Sequence, residues 1–540
     1  MPEPIQANPA ADAEAPVPDR QEMKNILSRN VSVGLFATVF YLITRVGLPP
    51  FILSRVSLEE YGIWAAAFVL ISYVGMSIFG ISNVYIRYIA EWHAKGELKK
   101  IDRLLSTGLT ITLSLSFLFL AVLWFALPYC VHLFQVSPKF QEIAFILFFT
   151  TAATFMLDLS LGAFGCVLHG LQKGALQTVV YLVSITLEAV LIVVLLLRGF
   201  GLYALVLAFA ARYVFTTVGN VFLCYRALPA LSVRLPYLDR ESLRYFYRYG
   251  VVVQISGILN IFLFSIEKLI AGIFLGVSAT GLMDVGEKLP VMASQIPSSL
   301  NVSFLPAMSH LHGREGHGEI VKLFLKGSRY LSMLLGIILG FLFAFAGPLM
   351  VAWVGKDDRL TVTASILAIF TLPYHFHQLT GPGSAYHKGV GRPVREFFYP
   401  VSQALLIVLT VSAGFLWKGQ TVLVIAAAVG VAMGLSALLY MAYTSRIVGV
   451  PLPSFLWSVI LPGLAPYPIG FVLAKITQPW FETLGGNRWE VLALLALAGT
   501  IYVMVCGGFL FRFGCEWGER EYLRKQALHT WKSLFRRPSI

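Results

Sequence analysis

The sequence is poor in charge and in cysteine. Only 13% of its 540 residues are charged, whereas 57% are hydrophobic. A single globular core cannot bury that much apolar side chain, so the excess must face lipid. The cysteines show no paired spacing and support neither a disulfide framework nor a zinc site. These five residues are Cys130, Cys166, Cys224, Cys506 and Cys515.

Signals of other protein classes are missing as well. The first 30 residues lack the basic segment, apolar core and cleavage site of a secretory signal. Their content of Ala, Pro, Asp and Glu predicts a disordered cytoplasmic tail over 1–30. The sequence also contains no nucleotide-binding loop and no soluble catalytic domain. We therefore expect no enzyme, no cofactor and no direct use of ATP.

Long apolar runs dominate what is present. A helix needs about 20 apolar residues to cross the hydrocarbon layer, and runs of that length predict an all-α polytopic membrane protein of about fourteen transmembrane helices. The predicted spans are 31–54, 61–88, 109–134, 142–168, 175–197, 201–225, 249–275, 280–306, 329–354, 360–386, 395–417, 420–445, 454–476 and 488–511.

The basic residues give the orientation, because short basic loops stay on the cytoplasmic side. With the N-terminus inside, 29 of the 41 Lys and Arg residues fall in cytoplasmic segments and eight fall outside. This distribution predicts cytoplasmic N- and C-termini. Anionic lipid headgroups on the cytoplasmic leaflet account for the net charge of +13, so no nucleic-acid partner is expected.

The two halves of the sequence share a spaced pattern. The pair Asn83-Val84 recurs as Asn301-Val302, and Gly165-x-x-x-His169 recurs as Gly383-x-x-x-His387, in both cases 218 residues later. Six spans per half is an even number, so the two halves keep one orientation and form a parallel repeat. This pattern is typical of a transporter with a cavity between two lobes.

The spans and the repeat predict six segments along the chain. They are the tail 1–30, an N-terminal six-helix lobe 31–226, a cytoplasmic linker 227–248, a C-terminal six-helix lobe 249–447, an extra helix pair 448–513 and a basic cytoplasmic tail 514–540.

One stretch resembles a known family. The sequence LSRVSLEEYGIW at 53–64 is similar to the first-loop signature of the polysaccharide transporter, or Wzx-type O-antigen flippase, family. That family belongs to the superfamily that also holds multidrug extruders and lipid II flippases. Further similarities are Arg45, the run 83–90 with Arg87, the Gly96-Glu97 pair and the stretch 281–289.

The resemblance implies a function and a set of partners. The protein would be a flippase of the bacterial cytoplasmic (inner) membrane, with two six-helix bundles facing each other in a V. It would move a polyprenyl-pyrophosphate-linked oligosaccharide by alternating access, for lipopolysaccharide, O-antigen or other surface polysaccharide. The natural energy source is an H⁺ or Na⁺ gradient. A polysaccharide polymerase and other assembly proteins are left open as partners.

Charged residues inside the spans are the candidate site, because each costs a few kcal/mol at the bilayer centre unless it is paired or hydrated. As a set, four cations could present a positive wall to a pyrophosphate or an acidic sugar, Arg through its bidentate fork and Lys as a point charge. These predicted substrate-binding residues are Arg45, Arg212, Lys268 and Lys288.

The membrane-embedded carboxylates are candidates for ion coupling: Asp158, Glu188 and Glu267. Two nearby carboxylates in a low-dielectric setting cannot both ionise cheaply, so one would hold a proton. The alternative is structural, with the charges simply pairing off to hold helices together. The pairs considered are Asp284 with Lys288, Asp158 with Arg212, and Glu188 with Arg45.

Other readings of the sequence are less favoured. His375 and His377 are two residues apart and point to different helix faces, so no shared metal site is predicted. A polysaccharide polymerase would need a large outside loop, and the longest one here, near 476–488, is too short. A multidrug or cation antiporter of the same superfamily is the alternative function, although it would favour an acidic, aromatic cavity.

Overall fold

The computed structural model describes residues 20–75, 79–247, 263, 265–314, 317–484, 487–516 and 518–521. Within these ranges the chain is almost entirely helical, and no β-strand is present among them. The all-α prediction is therefore confirmed. Residues 1–19 of the predicted tail 1–30 lie outside the described residues. The rest of the tail, from Arg20 onward, is helical.

Nine α-helices are described in residues 20–75 and 79–247. The first contains Pro49 and Pro50 shortly before its end at Leu53, and neither proline has a backbone N–H to donate to the helix. The nine helices are α1 Arg20–Leu53, α2 Leu58–Gly75, α3 Phe79–Ala94, α4 Leu98–Leu133, α5 Gln141–Leu161, α6 Ala163–Gly170, α7 Gly174–Leu197, α8 Leu202–Ala227 and α9 Arg240–Tyr245.

Eleven further α-helices are described after residue 263. They are α10 Ile266–Leu275, α11 Val277–Arg314, α12 His317–Ala344, α13 Ala346–Val354, α14 Thr361–Gly389, α15 Phe398–Lys418, α16 Val422–Val448, α17 Leu452–Phe455, α18 Leu461–Leu464, α19 Pro466–Thr483 and α20 Arg488–Phe509. Short 3₁₀ or π segments adjoin several of them: Pro138–Phe140, Asp358–Leu360, Pro393–Phe397, Leu456–Ile460 and Leu510–Gly514.

Ten segments of the described chain are long and apolar enough to cross a membrane, which makes this a multi-pass membrane protein. They are Ser32–Leu53, Leu98–Leu133, Pro138–Gly170, Gly174–Leu197, Leu202–Ala227, Gly318–Ala344, Pro393–Lys418, Val422–Val448, Leu452–Thr483 and Arg488–Gly514. The count of fourteen stays a prediction.

The other four predicted spans are not among these ten segments, for two different reasons. The spans 61–88 and 249–275 each include residues outside the described part of the chain. The spans 280–306 and 360–386 lie in α11 and α14, which are long helices of more polar composition. Sixteen residues of α14 are buried, among them three Thr and two His residues. A helix surrounded by protein does not need a lipid-facing composition.

The chain divides into two compact units. The first contains the described residues of Met1–Val56, Ala67–His132 and Val136–Phe262. The second contains those of Leu263–Ile540 together with two short segments from early in the sequence, Ser57–Ala66 and Leu133–Gln135. The two units therefore cannot be separated by dividing the sequence at a single position.

The signature stretch 53–64 takes part in a close helix crossing inside the second unit. A Cβ on Gly62 would overlap the carbonyl oxygen of Val277, and a Cβ on Gly281 would lie 3.2 Å from the Gly62 Cα. Glycine at both positions lets the start of α2 approach α11 at backbone distance. Next to this crossing, the Tyr61 hydroxyl donates a hydrogen bond to Asp284 Oδ2 at 2.7 Å.

Small residues also dock the C-terminal helices. Ser332, Gly336 and Gly340 repeat every four residues along one face of α12, a spacing that lets membrane helices approach closely. A Cβ on Gly463 would overlap the Ser332 hydroxyl, and a Cβ on Gly336 would overlap the Gly463 carbonyl. The Tyr502 hydroxyl of α20 donates to the Gly336 carbonyl at 3.3 Å. The predicted extra helix pair is therefore packed directly on α12.

The repeated Gly-x-x-x-His motif occupies matching places in the two units. A Cβ on Gly165 of α6 would meet Asn220 of α8 at 3.3 Å, and a Cβ on Gly383 of α14 would meet Tyr440 of α16 at 3.2 Å. In each unit the motif glycine thus faces a helix that lies two predicted spans further along the chain. The parallel repeat itself stays a prediction.

Candidate functional site

Two arginines from two helices of the first unit meet at one carboxylate from a third helix. Arg45 of α1 donates to Glu188 of α7 twice, from Nη1 to Oε1 at 3.3 Å and from Nη2 to Oε2 at 2.8 Å. Arg212 of α8 donates to the same Oε2 at 3.3 Å. We call Arg45, Glu188 and Arg212 the first cluster. Two arginines therefore share one glutamate, whose side chain is 1% exposed.

The arginines of the first cluster keep unused donors and lie against aromatic rings. Nε of Arg45 and Nε of Arg212 are buried, and neither has a hydrogen-bond partner in the described chain. The Arg45 guanidinium lies 5.2 Å from the Tyr41 ring centre. The Arg212 guanidinium lies 5.8 Å from the Tyr181 ring and 4.7 Å from the Tyr213 ring. Such contacts stabilise a cation in a partly dry setting.

Asp158 stands beside the first cluster without joining its ion pairs. Its Oδ1 accepts a hydrogen bond from the Thr217 hydroxyl at 3.3 Å. It lies within electrostatic range of Arg212, but the ion pair of that arginine is with Glu188. The predicted pair of Glu188 with Arg45 is present, whereas Arg212 binds Glu188 instead of Asp158.

A second group of charges lies where α10 meets α11, on either side of the turn at Gly276. Lys268 Nζ is 3.3 Å from Asp284 Oδ1 and 3.3 Å from Glu287 Oε2. Lys288 Nζ is 2.7 Å from Asp284 Oδ2, which is the pairing at i, i+4 expected from the sequence. These residues and Glu267 form the second cluster.

Two tyrosines hold the carboxylates of the second cluster. The Tyr61 hydroxyl donates to Asp284, and the Tyr374 hydroxyl of α14 donates to Glu287 Oε1. Both tyrosines are buried. Each of these two acids is therefore bound by one lysine or more and by one phenol.

Glu267 is the acid of the second cluster with the weakest pairing. It is 3% exposed, and its Oε1 has no hydrogen-bond partner among the described residues. It lies beside Glu287, with which it interacts directly. The cluster contains three carboxyl groups but only two ammonium groups, so one bound cation would balance its charge.

All seven predicted site residues thus fall into one of these two clusters or beside one. Arg45, Arg212 and Glu188 belong to the first, Asp158 adjoins it, and Lys268, Lys288 and Glu267 belong to the second. Whether they bind substrate or couple ions stays a prediction.

Sequence reasoning missed the tyrosines. The signal for two of them was available, since Tyr41 precedes Arg45 by four residues on one helix face and Tyr213 follows Arg212 directly. Tyr61 stands in the signature stretch, yet no local pattern shows that it binds Asp284, which is 223 residues away.

His375 and His377 of α14 point to different neighbours, as their spacing predicts. His375 is fully buried, with Nε2 3.0 Å from the Ser332 hydroxyl and Nδ1 3.3 Å from the Tyr467 hydroxyl. His377 Nδ1 is 2.6 Å from the Tyr399 hydroxyl. Among the described residues no three His, Cys, Asp or Glu side chains come together as metal ligands.

Comparisons with solved structures identify the fold. The chain is similar to the lipid II flippase MurJ in an inward closed conformation, with a TM-score of 0.67 and 12% identity over 89% of this chain and 98% of that one. It is also similar to an inward-facing multidrug resistance MATE family transporter of the MOP superfamily, with a TM-score of 0.62 and 13% identity over 78% and 98% of the two chains. Both of these proteins are transporters rather than enzymes.

Sequence comparison gives the family. The chain is 21% identical over 516 residues to the uncharacterized membrane protein EpsK of Bacillus subtilis (strain 168), covering 93% of this chain and 98% of that protein. Residues 52–358, more than half of the chain, match the family model described as polysaccharide biosynthesis protein. The resemblance found in 53–64 is thereby confirmed: the chain belongs to the polysaccharide biosynthesis protein family, and its fold is similar to that of MOP superfamily transporters.

Proposed function

We propose that this protein is a flippase that moves a polyprenyl-pyrophosphate-linked oligosaccharide across the bacterial cytoplasmic membrane by ion-coupled alternating access. The product would serve the assembly of lipopolysaccharide, including O-antigen, or of another surface polysaccharide. The observation that carries the proposal is the first cluster, in which two membrane-depth arginines share one glutamate.

The first cluster has the chemistry to bind a pyrophosphate. Arginine presents up to five N–H donors in a planar fork that matches phosphate oxygens. Arg45 uses two of its groups on Glu188, and both arginines keep an unpaired Nε. Seventeen per cent of the Arg45 side chain is exposed, so an incoming anion could reach it. The tyrosine rings beside the guanidinium groups add flat surfaces suited to sugar rings.

The second cluster has the chemistry to couple an ion. Its three carboxyl groups exceed its two ammonium groups by one, and Glu267 is the acid left without a lysine. A proton or a Na⁺ ion bound there would remove the excess negative charge. Coupling requires that the affinity for the ion differ between the inward and outward states. For Lys268 and Lys288, whose ammonium groups bind carboxylates, substrate binding stays a prediction.

The same negative excess is the one observation in favour of a multidrug or cation antiporter. A cationic drug could take the place of the coupling ion beside Glu267. The arginine-rich first cluster argues against this alternative, because it would repel a cationic substrate. The flippase and the antiporter can be told apart by whether lipid-linked oligosaccharide accumulates when the protein is absent.

Deletion of the gene in its own host tests the substrate class. A flippase mutant should accumulate lipid-linked oligosaccharide on the cytoplasmic leaflet, measured by extracting the lipid fraction and probing its accessibility in sealed inside-out vesicles. A mutant that accumulates none and becomes sensitive to cationic drugs would overturn the proposal in favour of the antiporter.

A second experiment tests the coupling. In reconstituted vesicles, transport by the unaltered protein should respond to an imposed pH gradient or Na⁺ gradient, whereas Glu267→Gln should transport at a rate independent of both. Asp158→Asn tests the other candidate coupling site: if Asp158 rather than Glu267 couples the ion, this variant should lose the response to the gradient. Glu142→Gln, an exposed change at the start of α5, is the matched control and should respond normally. A Glu267→Gln variant that still follows the gradient would exclude this residue from coupling.

A further inference from the structure

The segment between α8 and α9 is fastened along α4 of the first unit. Four backbone N–H groups of this segment donate to four side chains on one face of α4. The bonds are Ser232 N to Asp102 Oδ1 at 2.9 Å, Arg234 N to Ser106 Oγ at 3.0 Å, Tyr237 N to Thr110 Oγ1 at 3.0 Å and Asp239 N to Thr107 Oγ1 at 3.0 Å. The segment therefore has a fixed path and forms a wall against the helix.

A cavity of about 280 Å³ lies between this wall and α4. Three cationic side chains line it: Lys99 and Arg103, one turn apart on α4, and Arg234 from the wall. Asp102 is its one acid, and one oxygen of that carboxylate accepts the Ser232 hydrogen bond. The lining thus carries a net charge of +2, and Tyr237 adds an aromatic surface.

The three cations of this cavity are free to bind an anion. None of them forms an ion pair with another residue of the described chain, and all three are exposed. Their neighbour Lys100 differs, since its ammonium group binds Glu97 at 2.9 Å. On the topology predicted from the basic residues, this end of α4 lies at the cytoplasmic face of the membrane. Anionic headgroups are concentrated at that surface.

We propose that this cavity binds the phosphate headgroup of an anionic phospholipid of the cytoplasmic leaflet. Its volume is at the small end of ligand sites, which suits a headgroup and is too small for an oligosaccharide. Basic pockets at cytoplasmic helix ends are suited to anionic lipid headgroups. The proposal does not depend on the transported substrate, because the residues are separate from both charged clusters.

Lipid titration of the purified full-length protein, followed by native mass spectrometry, tests the site. Phosphatidylglycerol should bind the unaltered protein, and Arg103→Gln or Arg234→Gln should each weaken binding about fivefold, since one cation near an anionic surface contributes on that scale. Arg240→Gln removes the same charge from an exposed position in α9, outside the cavity, and should leave binding unchanged. Arg103→Lys, which keeps the charge, should retain most of it.

Three outcomes would overturn the proposal. In the first, Arg103→Gln and Arg234→Gln bind phosphatidylglycerol as tightly as Arg240→Gln. In the second, phosphatidylcholine, which has no net charge, binds as well as phosphatidylglycerol. In the third, inorganic phosphate at the same concentration displaces the lipid, which would make the cavity a site for free phosphate. A thermal unfolding scan of each variant keeps a loss of folding distinct from a loss of binding.

Discussion

At the scale of single residues, the position of Glu188 between two arginines has a clear energetic meaning. Removing one partner of a buried ion pair leaves an uncompensated charge and costs about 3–5 kcal/mol. Here the loss of either arginine leaves Glu188 still paired with the other. The first cluster can therefore lose one cation and stay folded, whereas loss of the carboxylate would leave two arginines facing each other with no carboxylate between them.

This difference makes Arg45 a residue whose function can be tested apart from folding. We expect Arg45→Ala to abolish glycan export while the protein stays at its normal level in the membrane. Arg45→Lys should restore export only in part, because a lysine lacks the bidentate fork. Export is measured as surface polysaccharide, and protein level by immunoblot of membranes.

The matched control for Arg45 is Arg198→Ala, which removes an exposed arginine just after α7 and should export normally.

Lys268→Ala tests the second cluster in the same way. In that variant Asp284 keeps Lys288 and Tyr61 as partners. Normal export by both Arg45→Ala and Lys268→Ala would show that the cations do not bind substrate.

The sequence gives the depth of these charges but not their partners. A rise of 1.5 Å per residue places Asp158, Glu188 and Arg212 near one level of the membrane. Which of the two acids meets the arginine depends on how each helix is rotated about its axis. Three helices that pack together fix that rotation, and Arg212 reaches Glu188 while Asp158 turns to Thr217.

At the scale of helices, the crossing of α2 and α11 depends on the absence of a side chain at Gly62. Gly62→Ala would push a methyl group into the Val277 carbonyl, and overpacking of this kind costs about 1–3 kcal/mol. We expect a lower midpoint of thermal unfolding in detergent, measured by intrinsic fluorescence.

Gly47→Ala provides the comparison for this crossing. It makes the same change in α1, where an added methyl group would meet nothing within 4 Å. Alanine favours a helix over glycine, so this variant should be as stable as the unaltered protein or more so. Equal midpoints for Gly62→Ala and Gly47→Ala would mean that the helices can separate at this crossing without cost.

The helices themselves were largely predictable, and the two predicted spans of more polar composition, 280–306 and 360–386, have one cause. Lipid-facing helices such as α7 must be apolar around most of their surface, so hydropathy finds them. By contrast, α11 carries carboxylates paired with Lys268 of α10, and α14 carries histidines that face α12 and α15. Their polar side chains are satisfied by protein, so these two helices can be more polar than the ten apolar segments.

At the scale of the whole molecule, orientation is the property that most needs a measurement. The predicted cytoplasmic C-terminus means that alkaline phosphatase fused after Ile540 should be inactive, because the enzyme needs the periplasm to fold. The same enzyme inserted after Gly199, in a loop predicted to lie outside, should be active. Activity at Ile540 would contradict the fourteen-span topology and would also place the proposed headgroup cavity in doubt.

The membership of residues 57–66 and 133–135 in the second unit limits how the chain could be divided. A fragment that starts after the linker would lack the Tyr61 hydroxyl that binds Asp284 and the Phe134 ring that lies against Gly272. It would expose a buried acid and an apolar surface that only the preceding fragment can cover. The two halves of the chain are therefore not independent modules. A protein split at the linker should be recovered only by co-expressing both fragments, and a gene for the second half alone should yield no stable product.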